Sequence, residues 1–226
     1  MTRTKVMTIC VSVAILAISG VVHAVPISVE TDEIDFAVVG SGFSAVGPAE
    51  TTDFSGDHLS ATIVSQAFAD NSGAYLYLYQ ISNNNGQDNH HTITRFTANP
   101  YAQGQGGISL GYLTDNANVP SAFSSGEQGQ LYRAPLYGDI DADAGPTVGF
   151  NYPVGIPLFG VPDSYIGQGE KSLVMYIQTD IPPGLVTGNI INGGVQSGMV
   201  VGPVPEPATL SLLALGGLFV LRRRRR

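Results

Sequence analysis

The chain has no tryptophan, a single cysteine and, over most of its length, almost no positive charge. Cys10 lies in an apolar N-terminal run, so the body can hold neither a disulfide nor a thiolate-bound metal. Lack of tryptophan removes the aromatic side chain best suited to stack on a sugar ring. Of the ten basic residues, seven sit at the two ends: Arg3, Lys5 and the run Arg222, Arg223, Arg224, Arg225, Arg226. Between Val25 and Val204 only Arg95, Arg133 and Lys171 remain, against 17 acids, which leaves that stretch at −14. A body this acidic repels phosphate backbones, and nucleic acid is excluded as a partner. At 226 residues the chain has room for one domain of ordinary size and not for a large multidomain enzyme.

The two ends carry the clearest pattern. Residues 1–5 are basic, residues 6–19 are apolar, and Val22-His23-Ala24 places small residues at −3 and −1 of a cleavage point. That is the layout of a secretory signal peptide cut by signal peptidase after Ala24, and it discards Cys10. At the other end Val204-Pro205-Glu206-Pro207-Ala208-Thr209 leads into an apolar run closed by the five arginines. Pro205 and Pro207 hold this segment extended and exclude a helix across it. The 14 residues 208–221 would make a helix of about 21 Å, short of a hydrocarbon core of about 30 Å. Such a transmembrane helix spans only where the bilayer thins or the arginine stems snorkel. The arginines would hold that end in the cytoplasm, with the body outside.

Residues 203–226, with the Val204-Pro205-Glu206-Pro207 motif, the Leu-rich run containing Gly216-Gly217 and the basic end, resemble the tripartite PEP-CTERM sorting signal. The resemblance implies a membrane-embedded exosortase that recognises the tail, cuts near the Pro-Glu-Pro motif and passes the protein to the surface or the exopolysaccharide matrix. The catalytic residues would belong to that enzyme. Three segments follow: a signal peptide over 1–24, a body over 25–202 and a sorting signal over 203–226.

The body reads as strands separated by turn formers. Residues 59–68, 74–82, 91–97, 108–113, 131–137, 147–151 and 173–180 are rich in β-branched and aromatic residues or alternate in polarity. Asn83-Asn84-Asn85-Gly86, Ser124-Ser125-Gly126, Pro182-Pro183-Gly184 and Asn192-Gly193-Gly194 supply turns at strand spacing. No stretch keeps a helical apolar period for three turns. The expected fold is all-β, an antiparallel β-sandwich of roughly eight to ten strands. Tyr79-Gln80-Ile81-Ser82-Asn83, Ile93-Thr94-Arg95-Phe96 and residues 173–180 before Pro182-Pro183-Gly184 resemble a domain found in PEP-CTERM proteins generally. That resemblance implies the fold and no activity.

Five features of the body invite chemistry. Gly40-Ser41-Gly42-Phe43-Ser44-Ala45 has the G-x-G-x-x-A form of a dinucleotide fingerprint, but Gly47-Pro48 breaks the helix that would bind pyrophosphate, so no nucleotide is expected. Asp139, Asp141 and Asp143 are spaced to coordinate Ca²⁺ from a loop, or equally to form one solvated strand face. His90 and His91, after Asp88, would point to opposite sides of a strand, and His58 is isolated, so a polar hairpin tip is the simpler reading. Gly107-Ile108-Ser109-Leu110-Gly111 is set aside as a serine elbow. Tyr75, Tyr77 and Tyr79 share one strand face; exposed, they could contact a glycan, and inward, they are core. Since Leu76 and Leu78 make the other face apolar, a central buried strand is favoured.

The expected protein is a non-enzymatic surface or matrix component, structural or adhesive in exopolysaccharide or envelope. The alternatives are a carbohydrate-binding module and a glycan hydrolase with an unrecognised carboxylate pair. Export predicts a mature chain that begins at Val25, read by intact-mass spectrometry of the protein from its host; a mature protein still beginning at Met1 would contradict it.

Overall fold

The computed structural model describes residues 40–56, 59–84, 91–99, 108–113, 119–124, 131–141, 147–155 and 163–204, with Ile140 and Asp141 as backbone. These residues form strands and connecting turns, with no helix among them. In chain order the strands are β1 (Ser44–Ala45), β2 (Glu50–Gly56), β3 (Leu59–Ala69), β4 (Tyr75–Asn83), β5 (Arg95–Asn99), β6 (Ser109–Tyr112) and β7 (Tyr132–Arg133). They continue with β8 (Tyr137–Asp141), β9 (Thr147–Asn151), β10 (Lys171–Ser172), β11 (Met175–Thr179), β12 (Pro183–Ile191) and β13 (Val195–Pro203). One sheet places β1 and β2 along the outer side of β3, then β4, then β10 and β11, with β7 beside β10 and β6 beside β11. The second sheet runs β13-β12-β5-β9-β8. All pairings are antiparallel except that of β10 with β7. The expected two-sheet sandwich is present.

The described residues form thirteen strands against the expected eight to ten, and two of the additional ones arise where a strand is interrupted. Along β3, Ala45 faces Phe68 while Glu50 faces Ser65, so four residues on the edge oppose two. Gly47 adopts φ of 90° there, and its carbonyl accepts the Gln66 Nε2 hydrogen at 3.2 Å. Along β4, Lys171 faces Ser82 and Met175 faces Tyr79, a bulge of one residue. Ser172 Oγ fills the gap by accepting the Ile81 amide at 2.8 Å. Pro182-Pro183-Gly184, expected as a turn, instead opens β12. The turn at Asn192-Gly193-Gly194 is present, with Gly193 at φ of 97°, and joins β12 to β13.

The core is built around β4. Tyr77, Tyr79 and Ile81 point between the sheets, where they meet Ile63, Phe96, Phe150, Met175, Ile177 and Val200. Leu76 and Leu78 point outward, yet they too are buried, under Phe68, Leu113, Phe123, Val174 and Tyr176. The segment carrying Phe123 is held down by the Gln80 amide, which accepts from Ser124 N–H at 2.8 Å and donates to Ser124 O at 2.9 Å. Glutamine thus mimics a neighbouring strand where none exists. Tyr77 Oη donates to Ile181 O at 2.6 Å, and Tyr79 packs its ring 5.3 Å from that of Phe96.

Opposite these rings the hairpin of β12 and β13 presents glycines. Gly184 faces Gly202 and Gly188 faces Gly198, on either side of the pair Val186 and Val200. A Cβ at Gly198 would lie 2.8 Å from Thr52 Cγ2 and 2.9 Å from Phe54 Cζ; one at Gly202 would lie 3.2 Å from Tyr79 Oη. Phe54 takes this volume at Gly198, Val200 and Phe96 take it at Gly188, Val186 and Tyr79 at Gly202, and Val204 at Gly184. Gly198→Ala is therefore expected to destabilise the fold by about 1–3 kcal/mol in urea denaturation, by overpacking against Phe54.

A second outcome follows from the buried phenols. Desolvation holds the pKa of Tyr77, Tyr79 and Tyr152 above the ordinary value of 10. Since the folded pKa is the higher one, the stability of these groups is whole below pH 10 and is lost above it, where the unfolded chain ionises first. In an alkaline titration followed by ultraviolet absorbance, these three of the ten tyrosines are expected to ionise only together with the loss of the β signal in circular dichroism.

Candidate functional site

The site of interest is where the body hands over to its tail. Pro203 closes β13 opposite Pro183, the first residue of β12. One residue further, Val204 N–H donates to Pro182 O at 2.9 Å. The Val204 side chain lies over Gly184, close enough that a Cβ on Gly184 would fall 3.1 Å from Val204 Cβ and still closer to its Cγ2. Val204 also packs against the main core. Nine residue pairs in unbroken register, Pro183 with Pro203 through Ile191 with Val195, precede this contact. Val201 N–H, on the free edge of β13, is held by Ser65 Oγ at 3.0 Å, and Thr52 Oγ1 donates to Met199 O. This strand is thus fastened to both sheets, up to Val204.

Of the sequence-predicted sorting residues, Val204 is placed here. Pro205, Glu206, Pro207, Ala24, Arg222, Arg223, Arg224, Arg225 and Arg226 lie outside the described residues, as do the signal peptide and the apolar run 208–221. Among the described residues no helix is long and apolar enough to cross a membrane. Pro182 and Gly184, which carry the junction, were hidden from sequence reasoning because they look like a plain turn.

The candidate glycan contact is corrected by burial. Tyr77 and Tyr79 are 0% exposed, and Tyr75 is half-buried against the same core, so the tyrosine strip is sandwich interior and offers no face to a sugar. Tyr79 Oη has no hydrogen-bond partner among the described residues; it lies beside Gly202. Gly40-Ser41-Gly42 is a turn leading into β1, not into the helix that the dinucleotide fingerprint requires. Gly107-Ile108-Ser109-Leu110-Gly111 does have the G-x-S-x-G spacing, and what removes the elbow is geometry: Ser109 opens β6 and pairs with Gln178 in an antiparallel ladder, not in a strand-to-helix turn. His91 accepts at its backbone carbonyl from Asn83 Nδ2 at 2.9 Å, while His58, Asp88 and His90 lie outside the described residues.

Of the acidic triplet, only Asp139 has a described side chain. Asp139 lies in β8, where its two oxygens accept from Arg95 Nη1 and Nη2, both at 2.7 Å, and from Asn151 Nδ2 at 2.9 Å. Three hydrogen bonds thus engage this carboxylate, and Arg95 also donates to Asn151 Oδ1 at 3.0 Å. The Asp141 side chain and Asp143 lie outside the described residues, among which no group of three or more His, Cys, Asp or Glu could hold a metal. Sequence spacing cannot show that a cation 44 residues away occupies the first acid.

The other two body cations are engaged as well. Arg133 forms a two-point pair with Glu170, Nε to Oε2 at 2.9 Å and Nη2 to Oε1, and Gly167 N–H adds a bond to Glu170 Oε2 at 2.7 Å. Lys171 Nζ donates to Ser124 Oγ at 2.7 Å. Burial pushes the Glu170 pKa up, but the hydrogen bonds from Arg133 and Gly167 and the Arg133 charge outweigh it and hold the carboxyl below its ordinary 4.5. Because the folded value is the lower one, this stability is present above pH 4.5 and is lost as pH falls through the folded pKa.

Glu170→Gln is expected to cost about 1–2 kcal/mol at pH 7 in denaturant titration, with the gap to the parent closing as the pH is lowered below 4.5. Arg95→Leu is expected to cost a similar 1–2 kcal/mol, less than a fully buried pair because both side chains keep about a quarter of their surface, 27% and 22%. Added Ca²⁺ is expected to leave the melting temperature of the parent protein unchanged, since it would have to displace Arg95 from Asp139.

Comparison with known families matches residues 203–226 to the PEP-CTERM protein-sorting motif. No curated protein and no solved structure matches the chain. The match begins at Pro203, the last residue of β13, so the motif starts inside the final strand of the sandwich. The chain carries a PEP-CTERM sorting motif, the mark of an exported protein sorted at the membrane by an exosortase.

Proposed function

We propose that this protein is a non-enzymatic component of the cell surface or extracellular matrix, delivered by its sorting tail and displaying an acidic β-sandwich with a structural or adhesive role in exopolysaccharide or envelope. The observation that carries the reading is the sorting motif joined without a linker to a closed, acidic body. The charge arrangement supports it. All three body cations are engaged in internal contacts, whereas Glu50, Asp53, Asp163 and Asp180 are exposed. A surface of one sign keeps such molecules soluble and apart at the density of a coat. Signal peptidase and an exosortase-like enzyme are the partners this reading requires, and exopolysaccharide is the matrix it would meet.

Truncation after Val204 tests the reading. The shortened protein keeps every described strand, so it is expected to fold with the parent's melting temperature, to be exported, and to appear in the medium instead of the envelope and matrix fraction. Retention of the truncated body at the surface in the parent's amount would overturn the assignment of delivery to the tail.

A further inference from the structure

The structure assigns a second task to the junction: Pro182, Gly184 and Val204 form a latch that sets the amino-terminal limit of tail processing. This rests on the reading of the tail as a substrate of a membrane-bound processing enzyme. Such an enzyme takes its substrate as an extended strand, through main-chain hydrogen bonds and side-chain pockets on both sides of the scissile bond. A residue already zipped into a sheet cannot be offered in that way. Here the main chain is paired without a break from Val195 to Pro203, and the amide of Val204 is bonded to Pro182 O. The Val204 side chain covers Gly184, where only a hydrogen leaves room for it.

The consequence is a narrow window. Between Val204 and Ala208 stand Pro205, Glu206 and Pro207, three residues whose extended reach is about 10 Å. The enzyme therefore meets its substrate against the end of a folded body, and the residues it grips begin at Pro205. Cleavage breaks one peptide bond. The acyl carbon on the body side passes to an acceptor nucleophile, water or an amine, and the released tail takes the proton on its new amino terminus. With the latch closed, that acyl carbon belongs to Val204 or to a later residue. The same contact makes the cut harmless to the described strands, all of which lie on the body side of it.

The test uses the full chain in a host that carries the processing enzyme, with the C-terminus of the processed protein read by mass spectrometry. The parent is expected to end at Val204 or beyond. Gly184→Val, and more weakly Gly184→Ala, should displace Val204 and add products ending between residues 199 and 203. Melting temperatures report whether each variant folds. A third variant separates the latch from general damage: six Gly-Ser residues inserted between Val204 and Pro205 carry the Pro-Glu-Pro segment off the latch while leaving Pro182, Gly184 and Val204 in place. In that background Gly184→Val should change the processed termini no further. Parent products ending before Val204, or termini unchanged in both folded Gly184 variants, would overturn the latch while leaving tail processing itself in place. A Gly184 effect that persists in the insertion background would also overturn it. Absence of any processing in the parent would instead overturn the underlying reading of the tail.

Discussion

The packing of large rings on bare backbone holds this sandwich together. Tyr77 and Tyr79 fill the space between the sheets, and the hairpin that faces them has glycine at 184, 188, 198 and 202 along its inner side. A ring needs depth, and a glycine-bearing strand supplies it by letting the opposing backbone come close. Val186 and Val200 fill the gap between the glycine pairs. Loss of either partner would leave the other mismatched, a ring without room or a backbone without cover. β4 then joins this interior to a second apolar layer, because Leu76 and Leu78 on its other face are roofed by the segment that Gln80 fastens.

The same hairpin carries the chain out of the fold. β13 is fixed along its inner edge to β12 and on its free edge by Ser65 and Thr52 of the other sheet. A free strand edge is an open template for further pairing, and these side-chain contacts occupy it. Since the sorting motif begins at Pro203, the element that closes the sandwich is also the element that presents the tail. The contacts that close the body thereby also hold the first two residues of the motif, Pro203 and Val204. The charges are arranged to the same end. Arg95, Arg133 and Lys171 face partners within the body, two of them carboxylates, while acids such as Asp53 and Asp163 remain at the surface.

How much of this could be read beforehand differs from strand to strand. β3, β4 and β9 were legible because each is dense in β-branched or aromatic residues, and the two apolar faces of residues 74–82 already indicated a central position. β12 and β13 were not. Their inner faces are glycine, which lowers strand propensity, and their outer faces mix Thr187, Asn189 and Ser197 with a few apolar residues. A glycine that makes room for a distant ring looks, along the chain, the same as a glycine that makes a turn. That ambiguity concealed Gly184 in an apparent Pro-Pro-Gly turn. It likewise concealed the junction, although the motif that starts there was plain.

The sequence by itself determined the destination and the class of fold. Basic and apolar flanks, proline-framed glutamate and the alternation of the body are local patterns, and membrane machinery and strand formation respond to local pattern. Tertiary structure alone decided what each ambiguous side chain does. It turned the tyrosine strip inward, joined Asp139 to Arg95 and closed Val204 over Gly184, since each outcome depends on which residue arrives from a distant strand. Pairing register and sheet stacking bring such residues together, and neither is encoded in the spacing of neighbours along the chain.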